Sequence, residues 1–365
     1  MLIGIDASRA VSDAPTGTET YSRALIRALL ALDNANSYRL YTRERVLREY
    51  FGASSNFEIR AFPFPRLWSH LRLSLEMLTR SPDLLFVPAH VLPLIHPRRS
   101  IVTVHDLGQL HFPDAYPARQ RLYHNWSARW NARNAARLFA DSDATRDDLV
   151  QFYRVAPDKI TVVYPAYDAS LYQPVRDAVW IEQLKSRFRI GGDYVLAVGT
   201  MQPRKNYTRL IEAFGRLTRR DLQLIIVGKR GWLFQGLFEK VKNLELESRV
   251  LFRDYVPAAD MPALISGARA FAFPSLHEGF GLPVLEAQAC GTPVVCSMTS
   301  SFPEVAGDAA LFVDPFDVDA IAGALERARS DDALRAKLIA HGFENVKRFS
   351  WDASARQVWS ILAKM

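Results

Sequence analysis

The chain is poor in cysteine, has no long apolar run and lacks a dinucleotide-binding fingerprint, and each absence removes a class of protein. Cys290 and Cys296 are the two cysteines among 365 residues. Two are too few for a disulfide framework, and no Cys/His cluster has zinc-ligand spacing. Both sit among apolar neighbours and read as buried small hydrophobes. The longest apolar stretches, such as 268–276, fall far short of the roughly 20 residues that span a bilayer. Met1 runs straight into Leu2-Ile3-Gly4-Ile5-Asp6, a first strand rather than the basic start of a signal peptide. The expected location is the cytoplasm. No G-x-G-x-x-G motif is present, which argues against a dehydrogenase. Short internal repeats and low-complexity segments are missing too.

What remains is an ordinary globular composition, 49% hydrophobic and 23% charged, with a formal charge of +7. That excess suits an anionic partner such as a nucleotide diphosphate or an anionic membrane surface. Short apolar runs alternate with helical periodicity from end to end. Strands are expected at 3–6, 37–42, 57–62, 84–87, 101–105 and 137–141, with a helix over 18–32. The pattern restarts at Tyr194-Val195-Leu196-Ala197-Val198-Gly199, with later strands at 222–227, 250–252, 270–273, 293–296 and 310–313. Two such arrays predict an α/β protein of two Rossmann-like, doubly wound parallel-sheet domains facing a cleft. The expected domains are 1–172 and 173–349, with a linker in 169–193 and a last helix, 350–365, crossing back to the first domain.

Ligands of open parallel sheets bind beyond the carboxyl ends of the strands, and the motifs of interest lie there. His277-Glu278-Gly279-Phe280-Gly281-Leu282-Pro283-Val284-Leu285-Glu286-Ala287 follows one strand and opens a helix. Its glycines admit a ligand close to the backbone, and the helix start offers unpaired N–H groups to an anion. Glu278 and Glu286 bracket the turn, and a carboxylate accepts well from vicinal sugar hydroxyls. Gly199-Thr200-Met201-Gln202-Pro203-Arg204-Lys205-Asn206 places two cations where they can hold a diphosphate. Gly17-Thr18 opens the first helix, and His105 ends a strand in Val104-His105-Asp106-Leu107. The triplets Asp141-Ser142-Asp143 and Asp317-Val318-Asp319 read as turn and capping chemistry, with Asp317 an N-cap, and no metal site is expected.

Together these segments resemble glycosyltransferase family 4, retaining enzymes of the GT-B fold, over nearly the whole chain. Glu278 and Glu286 match the family's E-x7-E element, Arg204-Lys205-Asn206 its phosphate-binding element, Gly17-Thr18 its first-domain glycine loop and His105 its strand-end histidine. Asp141 to Arg146 looks like its S-x-x-T segment. The resemblance implies that Glu278 binds donor-sugar hydroxyls and Glu286 the ribose, while Arg204 and Lys205 grip the diphosphate. Backbone around Phe280, Gly281 and Leu282 would support sugar and phosphate, Gly199 and Thr200 would line the donor site, His105 would contact the sugar, and backbone near Val256 would meet the base. Thr200 stands where many relatives carry arginine, with Lys229 or Arg230 as substitutes, and Asp254 stands where a glycine is usual.

The implied activity is metal-independent, retaining transfer of a hexose from a nucleotide sugar to a glycan or lipid-linked acceptor. GDP-mannose is the first donor expectation, because the motifs resemble bacterial mannosyltransferases of polysaccharide assembly, and a UDP-hexose is the second. No separate cofactor is expected. A sugar-nucleotide epimerase and a non-catalytic nucleotide-sugar binding module are the alternatives. Two basic, aromatic stretches, 66–80 and 116–137, either pack their apolar faces on the sheet or lie on the anionic inner face of a membrane as peripheral elements. No nucleic-acid motif accompanies them, so nucleic acid is not an expected partner.

Overall fold

The computed structural model describes residues 1–11, 17–64, 66–89, 91–254 and 256–365, which fall into two compact units. The first comprises 1–110, 119–166 and 349–365, and the second 111–118 and 167–348. The expected break at 172/173 and the division at 166/167 differ by a short segment that packs with the second unit.

The first unit holds β1 (Leu2–Asp6), β2 (Ser37–Thr42), β3 (Phe57–Ala61), β4 (Leu84–Val87), β5 (Ser100–Val104), β6 (Arg137–Ala140) and β7 (Ile160–Val162). They form one parallel sheet in the order β3-β2-β1-β4-β5-β6-β7. The central strands are buried on both faces, which is why they read as continuous apolar runs. Alternation divides them between two cores. Leu84 and Phe86 join Ile3, Ile5, Leu25 and Leu29 on one face, while Leu85 and Val87 join Trp68, Leu73, Met77 and Leu138 on the other. The helix Trp351–Leu362 is capped by Ser350 and lays Ala355, Val358 and Leu362 into the core that also holds Leu25, Ile26 and Leu29 of helix Gly17–Leu32.

The second unit holds β8 (Tyr194–Val198), β9 (Gln223–Val227), β10 (Val250–Arg253), β11 (Ala270–Phe273), β12 (Val294–Ser297) and β13 (Ala310–Val313). Their order is β10-β9-β8-β11-β12-β13, again all parallel. Val195 and Ala197 face one core and Tyr194 and Leu196 the other. The order reverses direction between β8 and β11, and an open sheet presents its ligand crevice at the carboxyl end of such a switch point. The segment 111–118 is held in this unit by Trp232, whose Nε1 donates to the Ala115 carbonyl at 2.6 Å.

Three features depart from the sequence expectations. The stretch read as a linker contains a helix, Ala178–Arg187, started by Asp177, which accepts from Trp180 N–H. The short edge strand β7 is not among the strands read from the sequence. Within 66–80, Trp68, Leu73 and Met77 are buried, but Leu67, Leu71, Leu75 and Leu78 face outward. No helix among the described residues is long and apolar enough to cross a membrane.

Burial separates two otherwise similar leucine truncations. Leu25→Ala removes a fully buried side chain and should destabilise the first unit by about 2–5 kcal/mol. Leu78→Ala, at an exposed position, should change it by less than about 0.5 kcal/mol. Urea denaturation of the two variants measures the difference.

Candidate functional site

The loops after β8 and β11 carry the two strongest sequence signals, and the switch point brings them side by side. Gly199 follows β8 with φ +149°. A Cβ there would lie 3.1 Å from Lys205 Cε and 3.2 Å from the Tyr207 hydroxyl, so glycine is what lets Lys205 fold back over the strand end. Pro203, Arg204 and Lys205 make one 3-10 turn, and Asn206 closes it in the left-handed conformation at φ 59°. Asn206 Nδ2 donates to the carbonyls of Pro274 at 3.0 Å and Pro315 at 2.7 Å. Leu276 N–H donates to the Arg204 carbonyl at 2.8 Å. These bonds lock the loop after β8 to the loops after β11 and β13.

Three charges meet at that lock. Lys205 Nζ lies 2.7 Å from Glu278 Oε1, and Arg204 Nη1 lies 3.2 Å from Glu278 Oε2. Arg204 also donates to the His277 carbonyl, and Lys205 Nζ sits 4.6 Å from the centre of the Phe273 ring, a cation–π contact. Arg204, Lys205 and Glu278 are only 7%, 9% and 8% exposed. Two cations thus share the Glu278 carboxylate in near burial, where screening is weak.

Glu278 is seated from beneath by two serines. Its N–H donates to Ser300 Oγ at 3.2 Å, and Ser301 Oγ donates to the carbonyls of Glu278 at 3.0 Å and Phe280 at 2.7 Å. Gly281 then turns the chain into helix Leu282–Ala289 with φ 102° and ψ 47°. A Cβ there would meet the Phe302 ring at 3.2 Å, so conformation and packing both call for glycine. The helix start directs backbone N–H groups and the positive end of its dipole outward.

Glu286 lies in the second turn of that helix, apart from the charge cluster. Burial pushes its carboxyl up to about 7, and a hydrogen bond with Tyr172 offsets part of that rise. The Tyr172 hydroxyl is in turn held far above its ordinary value by burial and by Glu286. Burial and the same carboxyl raise the Cys290 thiol to about 12, so it is no nucleophile at neutral pH. Tyr172 was not foreseen: it lies in the stretch read as a linker, and no motif marks it.

Thr200 follows Gly199 on the same loop. The next residue, Met201, donates its N–H to the Lys229 carbonyl at 2.9 Å, so Lys229 and Arg230 run alongside. Of these two expected substitutes for the missing arginine, Arg230 is engaged by Asp254 at 3.1 Å. Val256 buries its side chain in the core with Phe271 and Phe273.

The remaining residues belong to the first unit. His105 and Asp141 each follow a strand end, and β5 pairs with β6 so that Val104 stands opposite Ala140. That register brings His105 Nδ1 to 2.7 Å from Asp141 Oδ2. The Pro88 backbone also lies close enough to His105 to favour the charged ring. Burial opposes the charged imidazolium, but Asp141 and Asp106 outweigh it and raise the His105 pKa. Gly17 and Thr18 open helix Gly17–Leu32, and among the described residues a Cβ on Gly17 would touch nothing within 4 Å. Pro15 and Thr16 of the same turn lie outside the described residues. In the two acidic triplets, Ser142 Oγ accepts from Thr145 N–H at 3.0 Å, and Asp317 Oδ1 accepts from Asp319 and Ala320 N–H at 2.9 Å each. Both are helix caps.

Residues 15–171 match the family model "Glycosyltransferase Family 4", and residues 180–345 match "Glycosyl transferases group 1". The O-antigen chain mannosyltransferase B of Escherichia coli is 36% identical over 262 residues, which is 71% of this chain and 68% of that protein. The O-antigen chain mannosyltransferase RfbU of Salmonella typhimurium is 28% identical over 81% of this chain and 77% of its own. The serotype-specific mannosyltransferase WbdA of Escherichia coli is 28% identical, and the match spans 32% of its length. Among solved structures, the sucrose-phosphate synthase of Thermosynechococcus elongatus superposes with a TM-score of 0.79 at 21% identity, covering 100% of this chain and 98% of that one. The Anabaena protein HepE, solved in complex with UDP-glucose, gives 0.78 at 17% identity over 100% and 99%. Two parallel-sheet units, each matching its own half of the family, and a relative of this identity lead to one conclusion: the chain belongs to the family 4 glycosyltransferases of the GT-B fold.

Proposed function

We propose that this glycosyltransferase moves mannose from GDP-mannose, with retention of anomeric configuration and without a metal ion, to a glycan or lipid-linked acceptor. The observation that carries the reading is the buried cluster of Arg204, Lys205 and Glu278 at the switch point of the second sheet. Arg204 and Lys205, held side by side by one acid, offer charge-assisted donors to a donor diphosphate. As the bond from the anomeric carbon to the diphosphate breaks, the leaving oxygens gain charge, and fixed donors in a shielded site stabilise it with little reorganisation. The acceptor hydroxyl attacks the same face of the oxocarbenium-like sugar. Its proton passes to the departing phosphate oxygen, so the configuration is kept and no protein nucleophile is required. Glu278 accepts from sugar hydroxyls, Glu286 from the ribose, and the helix start at Phe280, Gly281 and Leu282 supports the phosphates. In the first unit, the buried Asp141 orients His105 through its Nδ1. Arginine and lysine do here what a divalent cation does elsewhere, and both acidic triplets sit at helix starts as caps.

The mannose reading draws on the names of the curated relatives. A UDP-hexose is the second donor reading, because HepE was solved with UDP-glucose. Transferases among the relatives favour neither an epimerase nor a non-catalytic binding module. Thermal unfolding with a panel of nucleotide sugars tests the donor, since a ligand of the folded state raises the melting temperature. GDP-mannose should give the largest rise. A rise with UDP-hexoses alone reassigns the donor, and no rise with any nucleotide sugar defeats the reading.

Lys205→Met should lower kcat about 100- to 1,000-fold. It leaves Arg204 and Glu278 paired, so the melting temperature should hold. Glu278→Gln should lower both activity and melting temperature, because the buried Arg204 and Lys205 then lose the carboxylate they share. Steady-state kinetics and thermal unfolding of both variants check the pattern.

Glu286 adds a pH dependence. Ribose hydroxyls donate to the ionised carboxylate, so binding favours the charged form. Nucleotide-sugar affinity should rise as pH climbs through about 7 and be about tenfold weaker one unit below that value. Glu286→Gln should flatten the profile in calorimetric titrations. For folding the sign is opposite: a carboxyl raised from 4.5 to about 7 contributes stability below the lower value and loses it as pH rises through the upper one.

A further inference from the structure

The first unit carries an outward apolar face that its own core does not use. Along 67–80 the chain buries Trp68, Leu73 and Met77 and leaves Leu67, Leu71, Leu75 and Leu78 exposed at 59%, 51%, 53% and 65%. A single exposed leucine is ordinary, but four at helical spacing on one element form a patch. The patch continues onto neighbouring elements. His70 Nε2 lies 3.1 Å from the Tyr123 hydroxyl, and the His70 ring meets Trp126 edge-on at 5.2 Å. Helix Ala118–Asn134 therefore lies beside the leucines and adds Leu122 and Trp126, 67% and 43% exposed. Ile95 N–H donates to Ser74 Oγ at 3.2 Å, which brings the exposed Leu94 and Ile95 beside the same segment.

Charge decides what such a face fits. On helix Ala118–Asn134, Leu122, Trp126, Arg129 and Arg133 recur at helical spacing and share one side. Arg119, Arg66, Arg80, Arg98 and Arg99 are exposed as well. The sequence of 66–80, 94–99 and 118–134 contains a single carboxylate, Glu76, which is buried and held by Arg60 and Arg72. Leucines that insert, a tryptophan at their margin and long cationic side chains around them match the layered chemistry of an anionic bilayer surface.

We propose that this face seats the enzyme on an anionic lipid bilayer through Leu71, Leu75, Leu78, Leu122 and Trp126, with Arg129 and Arg133 on the headgroups. The inference goes beyond the donor reading and does not rest on it.

Co-sedimentation of the full chain with vesicles at low ionic strength tests it. Wild type should pellet with phosphatidylcholine vesicles containing roughly one-third phosphatidylglycerol, and not with phosphatidylcholine alone. The double variant Leu75→Ser with Leu122→Ser should lose binding at least about tenfold, and Arg129→Ser and Arg133→Ser about fivefold each. All should keep the wild-type melting temperature and its response to nucleotide sugar, because the side chains are exposed and lie in the other unit. Wild type left in the supernatant, or variants that bind as well as wild type, would overturn the proposal. Self-association of wild type in sedimentation velocity, abolished by the leucine pair, would also overturn it by making the face an interface between copies.

Discussion

Everything functional in the second unit is arranged around one unequal ion cluster, two cations on one carboxylate in near burial. Taking these charges out of water is costly unless they are paired and hydrogen-bonded. For the cations the chain meets that requirement with the His277 carbonyl beside Arg204 and the Phe273 ring beside Lys205, while serine hydroxyls hold the main chain of Glu278 in place.

The constraint propagates outward. Lys205 reaches Glu278 only because Gly199 lacks a Cβ and Asn206 anchors its loop to Pro274 and Pro315. The loops can be tied because β8 and β11 are neighbours in the sheet, although β9 and β10 intervene in sequence. The same strand order sends the helix after Gly281 back along the sheet and carries Glu286 to Tyr172. Fold and charge cluster are thus one problem: a parallel sheet whose order reverses at the point where the motifs emerge.

Much of this was legible in the sequence, for physical reasons that also mark the limits. Parallel strands buried on both faces leave apolar runs between Gly, Pro and Asp, so both sheets could be read almost strand by strand. The cations and Glu278 announced themselves by sitting at strand ends. The partner of His105 did not. Asp106 is its neighbour in sequence, but the pairing of β5 with β6 gives the contact to Asp141. Tyr172 and helix Ala178–Arg187 lie in a stretch with weak periodicity, so their roles emerge only from packing. The leucines of 67–78 show why periodicity alone cannot decide burial: it reveals an apolar stripe but not which residues of it meet the sheet.

The central claim is that Arg204 and Lys205 grip a donor diphosphate beside Glu278. A crystal structure of the protein with a nucleoside diphosphate sugar tests it most directly. The account predicts phosphate oxygens within hydrogen-bonding distance of both cations, with Glu278 turned to the sugar hydroxyls and Glu286 to the ribose. A diphosphate bound elsewhere, with the Arg204, Lys205 and Glu278 cluster closed and unchanged, would contradict it.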